Sequence, residues 1–161
     1  MKEIRAIALD VDGVLTDGGV WWGPDAQEWK RFSYSDIMGV SLGRKAGLEF
    51  ALISGEDSPL VDRFANKMGI TFVEKNCKDK AAALRRFSEK MEIPLSSIGY
   101  MGDDVNDLGA LELAGLAAAP SDAQLAVLRC AAFVANHPGG RGAVRELVDA
   151  VLIARKAKVE A

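Results

Sequence analysis

Short, nearly continuous apolar runs punctuate the chain at residues 4–9, 52–54, 70–73, 98–101, 116–119 and 132–134. Strands covered on both faces of a parallel sheet read this way, because neither face meets water. The segments between them carry a different period. Leu60, Val61, Phe64 and Met68 recur at helical spacing, and so do Ala81, Leu84, Phe87 and Met91. Gly69 is placed to end the first of these helices, and the second is expected over 78–91. Ser35 is placed to cap a helix over 36–45, with Gly47 just past its end. Further helices are expected over 108–113 and 123–128. A last one starts at Ala143 and includes Ile153, and the tail 154–161 is expected to fray. Alternating strand and helix predicts an α/β fold, a doubly wound, Rossmann-like parallel sheet with right-handed crossovers.

Residues 16–32 break that rhythm. Val20-Trp21-Trp22 and Glu28-Trp29-Lys30-Arg31-Phe32 flank the turn residues Gly23-Pro24-Asp25, which predicts a β-hairpin inserted after strand one. No repeat, linker or low-complexity tract interrupts the chain. Residues 1–161 therefore read as one domain, with the hairpin at 16–32 and a C-terminal helix and tail at 139–161.

Composition narrows the function. The 161 residues are 49% hydrophobic and 27% charged, an ordinary globular mix, with a net charge of −3. That balance lacks the basic excess of a nucleic-acid binder, so no nucleic-acid partner is expected. No apolar run is long enough to span a bilayer, and the N-terminus lacks the form of a signal peptide. Cys77 and Cys130 show neither metal-ligand spacing nor a disulfide framework. Together these features predict a cytoplasmic enzyme without membrane partners.

The polar residues cluster at the carboxyl ends of the expected strands, where doubly wound sheets bind ligands. Strand one ends in Asp10-Val11-Asp12-Gly13-Val14-Leu15-Thr16-Asp17-Gly18. Strand two ends in Ser54-Gly55. Lys80 opens the helix after strand three, and strand four ends in Gly102-Asp103-Asp104-Val105-Asn106-Asp107. Carboxylates crowded into one site repel each other and raise each other's pKa, and a hard divalent cation such as Mg²⁺ relieves this. Asp10 can then attack a phosphate ester as nucleophile. Asp12, two residues on, can protonate the leaving alcohol and later activate water. Ser54 and Lys80 can hold phosphate oxygens, and Lys80 can neutralise charge that grows in the transition state.

These segments, in this order, resemble the four signatures of the haloacid dehalogenase superfamily phosphatases. The resemblance covers nearly the whole chain. It implies Asp10 as nucleophile and Asp12 as general acid/base. It implies Mg²⁺ held by Asp10, the Asp12 backbone carbonyl and Asp103, with Asp104 and Asp107 supporting the metal and Lys80. The chain is most similar to the capless 3-deoxy-ulosonate phosphate phosphatases. That subgroup implies an anionic phosphorylated sugar acid as substrate and a homotetramer in which hairpins meet and a neighbour covers each active site. Val20, Trp21, Trp22 and Trp29 fit such an interface. Residues 139–146, Gly-Gly-Arg-Gly-Ala-Val-Arg-Glu, also fit. Gly55, Glu56, Lys67 and Arg141 are the implied substrate contacts. Glu56 with Lys67 resembles the group acting on nine-carbon 9-phosphates, such as 2-keto-3-deoxynononate 9-phosphate. Arg141 resembles the group acting on 3-deoxy-manno-octulosonate 8-phosphate. Tyr34 and Phe64 match neither, so both sugars stay open.

Each residue also has a plainer role. Strand-end aspartates cap turns and helices, as Asp17, Asp104 and Asp107 can here. Ser54 can be a loop hydroxyl, Lys67 and Lys80 solvated helix lysines, Glu56 a solvated loop acid, and Arg141 part of a mobile loop. His137, the only histidine, precedes Pro138 in a loop and carries no expected chemistry. The tryptophans can form a cluster local to the hairpin. A receiver domain uses similar groups but places its acceptor Asp on strand three, which here ends without one. A phosphomutase needs a larger cap. Two alternatives stand beside the main reading. One is a non-catalytic tetramerisation module, related to the domain fused to acylneuraminate cytidylyltransferases. The other is a phosphatase for another small ester.

Overall fold

A computed structural model describes residues 3–159. The strands are β1 (Ala6–Leu9), β2 (Trp21–Trp22), β3 (Glu28–Trp29), β4 (Glu49–Ile53), β5 (Phe72–Glu74), β6 (Ile98–Met101), β7 (Leu116–Ala119) and β8 (Phe133–Val134). The helices are α1 (Tyr34–Lys45), α2 (Pro59–Met68), α3 (Lys80–Met91), α4 (Leu108–Leu113), α5 (Leu125–Cys130) and α6 (Ala143–Val159). Six strands form one parallel sheet in the order β5-β4-β1-β6-β7-β8. The chain winds outward from β1 in one direction and then returns to wind in the other. This makes the carboxyl end of β1 the switch point, where a crevice opens. β2 and β3 pair antiparallel as the hairpin expected after strand one.

Alternation along β1 builds the two sides of the core. Ile7 and Leu9 pack with Val40 of α1, Val61 and Phe64 of α2, and Val144, Leu147 and Val148 of α6. Ala6 and Ala8 face the other way, with Leu84 and Phe87 of α3, Leu111 of α4 and Val127 of α5. Full burial of each large aliphatic side chain contributes roughly 1.5–3 kcal/mol. α1 and α6 pack closely because Gly39 and Gly43 face α6. A Cβ at 39 would lie 2.8 Å from the Arg145 Cα, and one at 43 would lie 3.2 Å from Val148 Cγ1. Buried Asp36 of α1 accepts the backbone N–H groups of Gly142 (3.1 Å) and Arg145 (3.0 Å), so one helix caps the start of the other.

Several boundaries differ from those read in the sequence. Ser33, rather than Ser35, caps α1, because its hydroxyl accepts the N–H of Ser35. β4 starts earlier, at Glu49, where its backbone N–H reaches Arg5 across the sheet. Ile70 is drawn out of strand three because its N–H closes the end of α2 on the Ala65 carbonyl (2.9 Å). Lys78 precedes α3, whose cap is Asp79. α5 runs from 125 to 130, because the N–H of Gln124 is held by the Asp103 carbonyl (2.8 Å). α6 continues through residues 154–159, expected to fray, and residues 160–161 of that tail lie outside the described residues. Among the described residues, no helix is long and apolar enough to cross a membrane.

Candidate active site

β1 delivers Asp10 to the switch point. The side chain is almost wholly buried; its Oδ1 accepts the N–H of Val11 (2.7 Å), and its Oδ2 lies 2.9 Å from Lys80 Nζ. Lys80, at the first turn of α3, is equally buried and also reaches Asp107 Oδ1 at 2.7 Å. Asp107 is satisfied on every side. Its Oδ1 also accepts the Tyr100 hydroxyl (2.6 Å), and its Oδ2 accepts the N–H groups of Asp103 (3.0 Å) and Asp104 (3.2 Å). Asp107 thus anchors the loop after β6 while holding Lys80 against Asp10. Asp104 caps the short 3-10 turn Val105–Asp107, with the N–H of Val105 at 2.6 Å from its Oδ1.

Oxygens of Asp10, Asp103 and Asp107 come within 4.8 Å of one another. This crowding has electrostatic consequences. Burial, then the Asp107 charge, push Asp10 well above the usual carboxylate range, against the pull of Lys80. Burial and Asp107 push Asp103 up to about 6. Burial alone would lower the Lys80 pKa, but Asp10 and Asp107 outweigh it and hold Lys80 charged. Tyr100 is pushed well above its ordinary value by burial, then by Asp107 and Asp10, and so stays a donor. Gly13, at φ +87°, sits directly against the Asp103 carboxylate, and any side chain there would collide with it.

Asp10, Asp12, Gly55, Glu56, Lys80, Asp103, Asp104 and Asn106 line one cleft of about 340 Å³. Ser54 lies beneath it, buried, and its hydroxyl accepts the N–H of Glu56 (3.2 Å). Lys67 and Arg141 do not line this cleft. Lys67 borders a separate groove of about 260 Å³ beside the hairpin, and Arg141 is exposed in the loop before α6. Asp17 serves a turn, accepting the N–H of Gly19 (3.0 Å) and facing Arg31 at 3.5 Å. Glu74, the acid that ends strand three, is tied to Arg86 by two hydrogen bonds of 2.7 and 2.6 Å, which removes it as a receiver-type acceptor. His137 pairs with Glu146 on the surface.

Two participants escaped the sequence reading. Tyr100 sits inside an apolar strand and reads there as core. Lys30 reaches in from the hairpin with its ammonium 2.8 Å from Asp12 Oδ1 and 3.4 Å from Glu28 Oε1. The alternation Glu28-Trp29-Lys30, which puts Glu28 and Lys30 on one face of a strand, was the available signal.

A family profile of haloacid dehalogenase-like hydrolases matches residues 58–147. The 3-deoxy-D-manno-octulosonate 8-phosphate phosphatase KdsC of Escherichia coli K12 is 36% identical over 154 residues, covering 96% of this chain and 82% of the relative. The chain belongs to the haloacid dehalogenase-like hydrolases. With these relatives it is a phosphoric monoester hydrolase. Among solved structures, the same-named phosphatase from Moraxella catarrhalis, in complex with a magnesium ion, a phosphate ion and KDO, superposes with a TM-score of 0.91. Identity is 34%, over 94% of this chain and 87% of that one. The cobalt-bound deoxy-D-mannose-octulosonate 8-phosphate phosphatase of Haemophilus influenzae superposes with a TM-score of 0.93 at 31% identity, covering 96% and 90%. The single parallel sheet with a hairpin after strand one, expected from the sequence, is found in this chain, and these neighbours superpose on it.

Proposed function

We propose that this chain hydrolyses the terminal phosphate ester of a 3-deoxy-2-ulosonic acid through an aspartyl-phosphate on Asp10, with Mg²⁺ as cofactor. The observation that carries the mechanism is the Asp10–Lys80–Asp107 chain, which sets a carboxylate and its counter-charge at the floor of an open polar cleft. The donor set fits a hard cation: the clustered side-chain oxygens are all carboxylate, and burial, then the neighbouring Asp107 charge, raises the pKa values of Asp10 and Asp103, a cost that a divalent cation would offset. Asp10, Asp103 and the Asp12 backbone carbonyl would hold it, with Asp104 and Asp107 behind them. When bound, Mg²⁺ supplies charge that offsets the incoming phosphate.

The chain's own residues carry the steps. The Asp10 carboxylate forms a bond to phosphorus as the ester P–O bond breaks, and Asp12 gives its proton to the departing alcohol oxygen. Asp12 then takes a proton from the water that cleaves the aspartyl-phosphate. Lys80 and the Ser54 hydroxyl hold the phosphoryl oxygens.

Phosphatases of the eight-carbon ester among the relatives support that ester as substrate. A second reading, the nine-carbon 9-phosphate, has one marker at the site, because Glu56 lines the cleft, whereas its companion Lys67 and the eight-carbon marker Arg141 do not. Phosphate release from each ester, with Mg²⁺ and with a chelator, tests both. We expect release from the eight-carbon ester that the chelator abolishes. Preference for the nine-carbon ester would make Glu56 the marker that matters, and release from neither would overturn the substrate class. We also propose a homotetramer assembled through the hairpin, supported by Trp21 at 74% and Trp22 at 79% exposure.

A further inference from the structure

The hairpin carries one side chain into the active-site cluster. In the β2–β3 register Trp29 lies opposite Trp21, and Glu28 lies opposite Trp22. Alternation then turns Glu28 and Lys30 toward the sheet and Trp29 away from it. The burial agrees: Trp29 is 51% exposed, while the Lys30 side chain is only 3% exposed. A lysine buried this deeply needs a partner for its charge. It has two, Asp12 Oδ1 at 2.8 Å and Glu28 Oε1 at 3.4 Å. Glu28 is itself anchored, since its Oε1 accepts the Ser58 hydroxyl at 2.9 Å, and Ser58 caps α2. A continuous polar chain therefore runs from the start of α2 through the hairpin to Asp12. Among the described residues, Lys30 is the only hydrogen-bonding or ionic partner of the Asp12 carboxylate.

We propose that Lys30 is a positioning residue, holding the Asp12 carboxylate in the orientation from which it serves the leaving oxygen and linking that orientation to the hairpin. The inference rests on Asp12 acting as the general acid. Lys30 suits the task because a flexible ammonium clamped between two carboxylates is held in a single geometry. Asp12 lies on the loop after β1 with 29% of its side chain exposed, and among the described residues no backbone N–H orients it. The hairpin then does more than assemble subunits, because its fold reaches the reacting atoms through one lysine.

The leaving group provides the test. A nitrophenolate departs without a proton, whereas a sugar alkoxide needs one, and kcat/KM covers the steps up to that departure. We would measure kcat/KM for 3-deoxy-manno-octulosonate 8-phosphate and for p-nitrophenyl phosphate. The proteins are the unmodified enzyme, Asp12→Ala, Lys30→Met, Lys30→Arg and the Asp12→Ala/Lys30→Met pair. Lys30→Met is expected to lower kcat/KM for the sugar ester about tenfold or more beyond any loss on the nitrophenyl ester, as general-acid effects of this kind do. Lys30→Arg should restore most of it, and the pair should be no worse on the sugar ester than Asp12→Ala alone. Equal losses on both esters in Lys30→Met, with Asp12→Ala still selective, would overturn the positioning role and leave Asp12 as the acid. Loss of selectivity in Asp12→Ala itself would instead remove Asp12 from that role. If Lys30→Met does not fold, Glu28→Gln carries the test, because it releases the far end of Lys30. It should show the same leaving-group bias, and its absence would count against the proposal.

Discussion

Asp10 is asked to attack as a carboxylate from a position that resists ionisation. Burial and Asp107 raise its pKa, while Lys80, 2.9 Å away, pulls it back. Replacing it by Asn keeps the shape and an oxygen for Lys80 but removes the nucleophile. We expect Asp10→Asn to abolish turnover while changing stability by only about 1 kcal/mol, the ordinary scale for a near-isosteric swap. Turnover near that of the unmodified enzyme, with an unfolding curve confirming the fold, would refute the mechanism. At this scale the motif residues were legible because their chemistry depends on spacing along the chain: Asp10 and Asp12 share one loop, and Asp103, Asp104 and Asp107 share one turn. Tyr100 was not legible, since a tyrosine in an apolar strand gives no sign that its hydroxyl will meet Asp107. Arg141 and Lys67 show the converse. The family resemblance implied them as substrate contacts, yet neither side chain lines the cleft in one chain.

At the level of elements, the loop before α6 supports the site from behind. Gly140 donates its N–H to the Val14 carbonyl (2.9 Å), which braces the loop carrying Asp12. Glu146, in the first turn of α6, holds the other side of that segment by accepting the N–H groups of Asn136 (2.9 Å) and His137 (3.3 Å). Burial works to raise the Glu146 pKa, but the His137 side chain and the Asn136 groups outweigh it, and the net shift is downward. A depressed carboxylate contributes stability above its unfolded value, and that contribution is lost as pH falls through the lower folded value. We therefore expect Glu146→Ala to cost roughly 1 kcal/mol at pH 7, with the difference from the unmodified chain closing below about pH 4, the range of an ordinary glutamate. Urea unfolding at pH 7 and in acid checks this, and a difference that persists in acid would show that packing, not the charge, is responsible. Helix identities were legible from the 3.6-residue period and strand identities from the apolar runs. Their ends were less so, because they depend on long-range partners such as Asp103, whose carbonyl holds the N–H of Gln124 and delays α5.

For the whole molecule, the exposed aromatics of the hairpin and of the start of α1 mark the surface that bears on assembly. Trp21, Trp22, Trp29 and Tyr34 are all exposed in one chain, an apolar concentration that water does not favour. We expect sedimentation velocity to give a tetramer, and Trp21→Ser with Trp22→Ser to shift it to smaller species. A monomer from the unmodified chain would sink the assembly.

By itself the sequence determined the fold class, the family and the order of the acidic motifs, because periodicity, turn chemistry and motif spacing are local properties of the chain. Tertiary structure alone decided which charges meet. Asp10, Lys80 and Asp107 lie on three separate elements, and Lys30 reaches Asp12 from a hairpin that the sequence reading assigned to assembly. Contacts of a few ångströms between distant residues depend on how strands register and helices pack, and no local pattern encodes them.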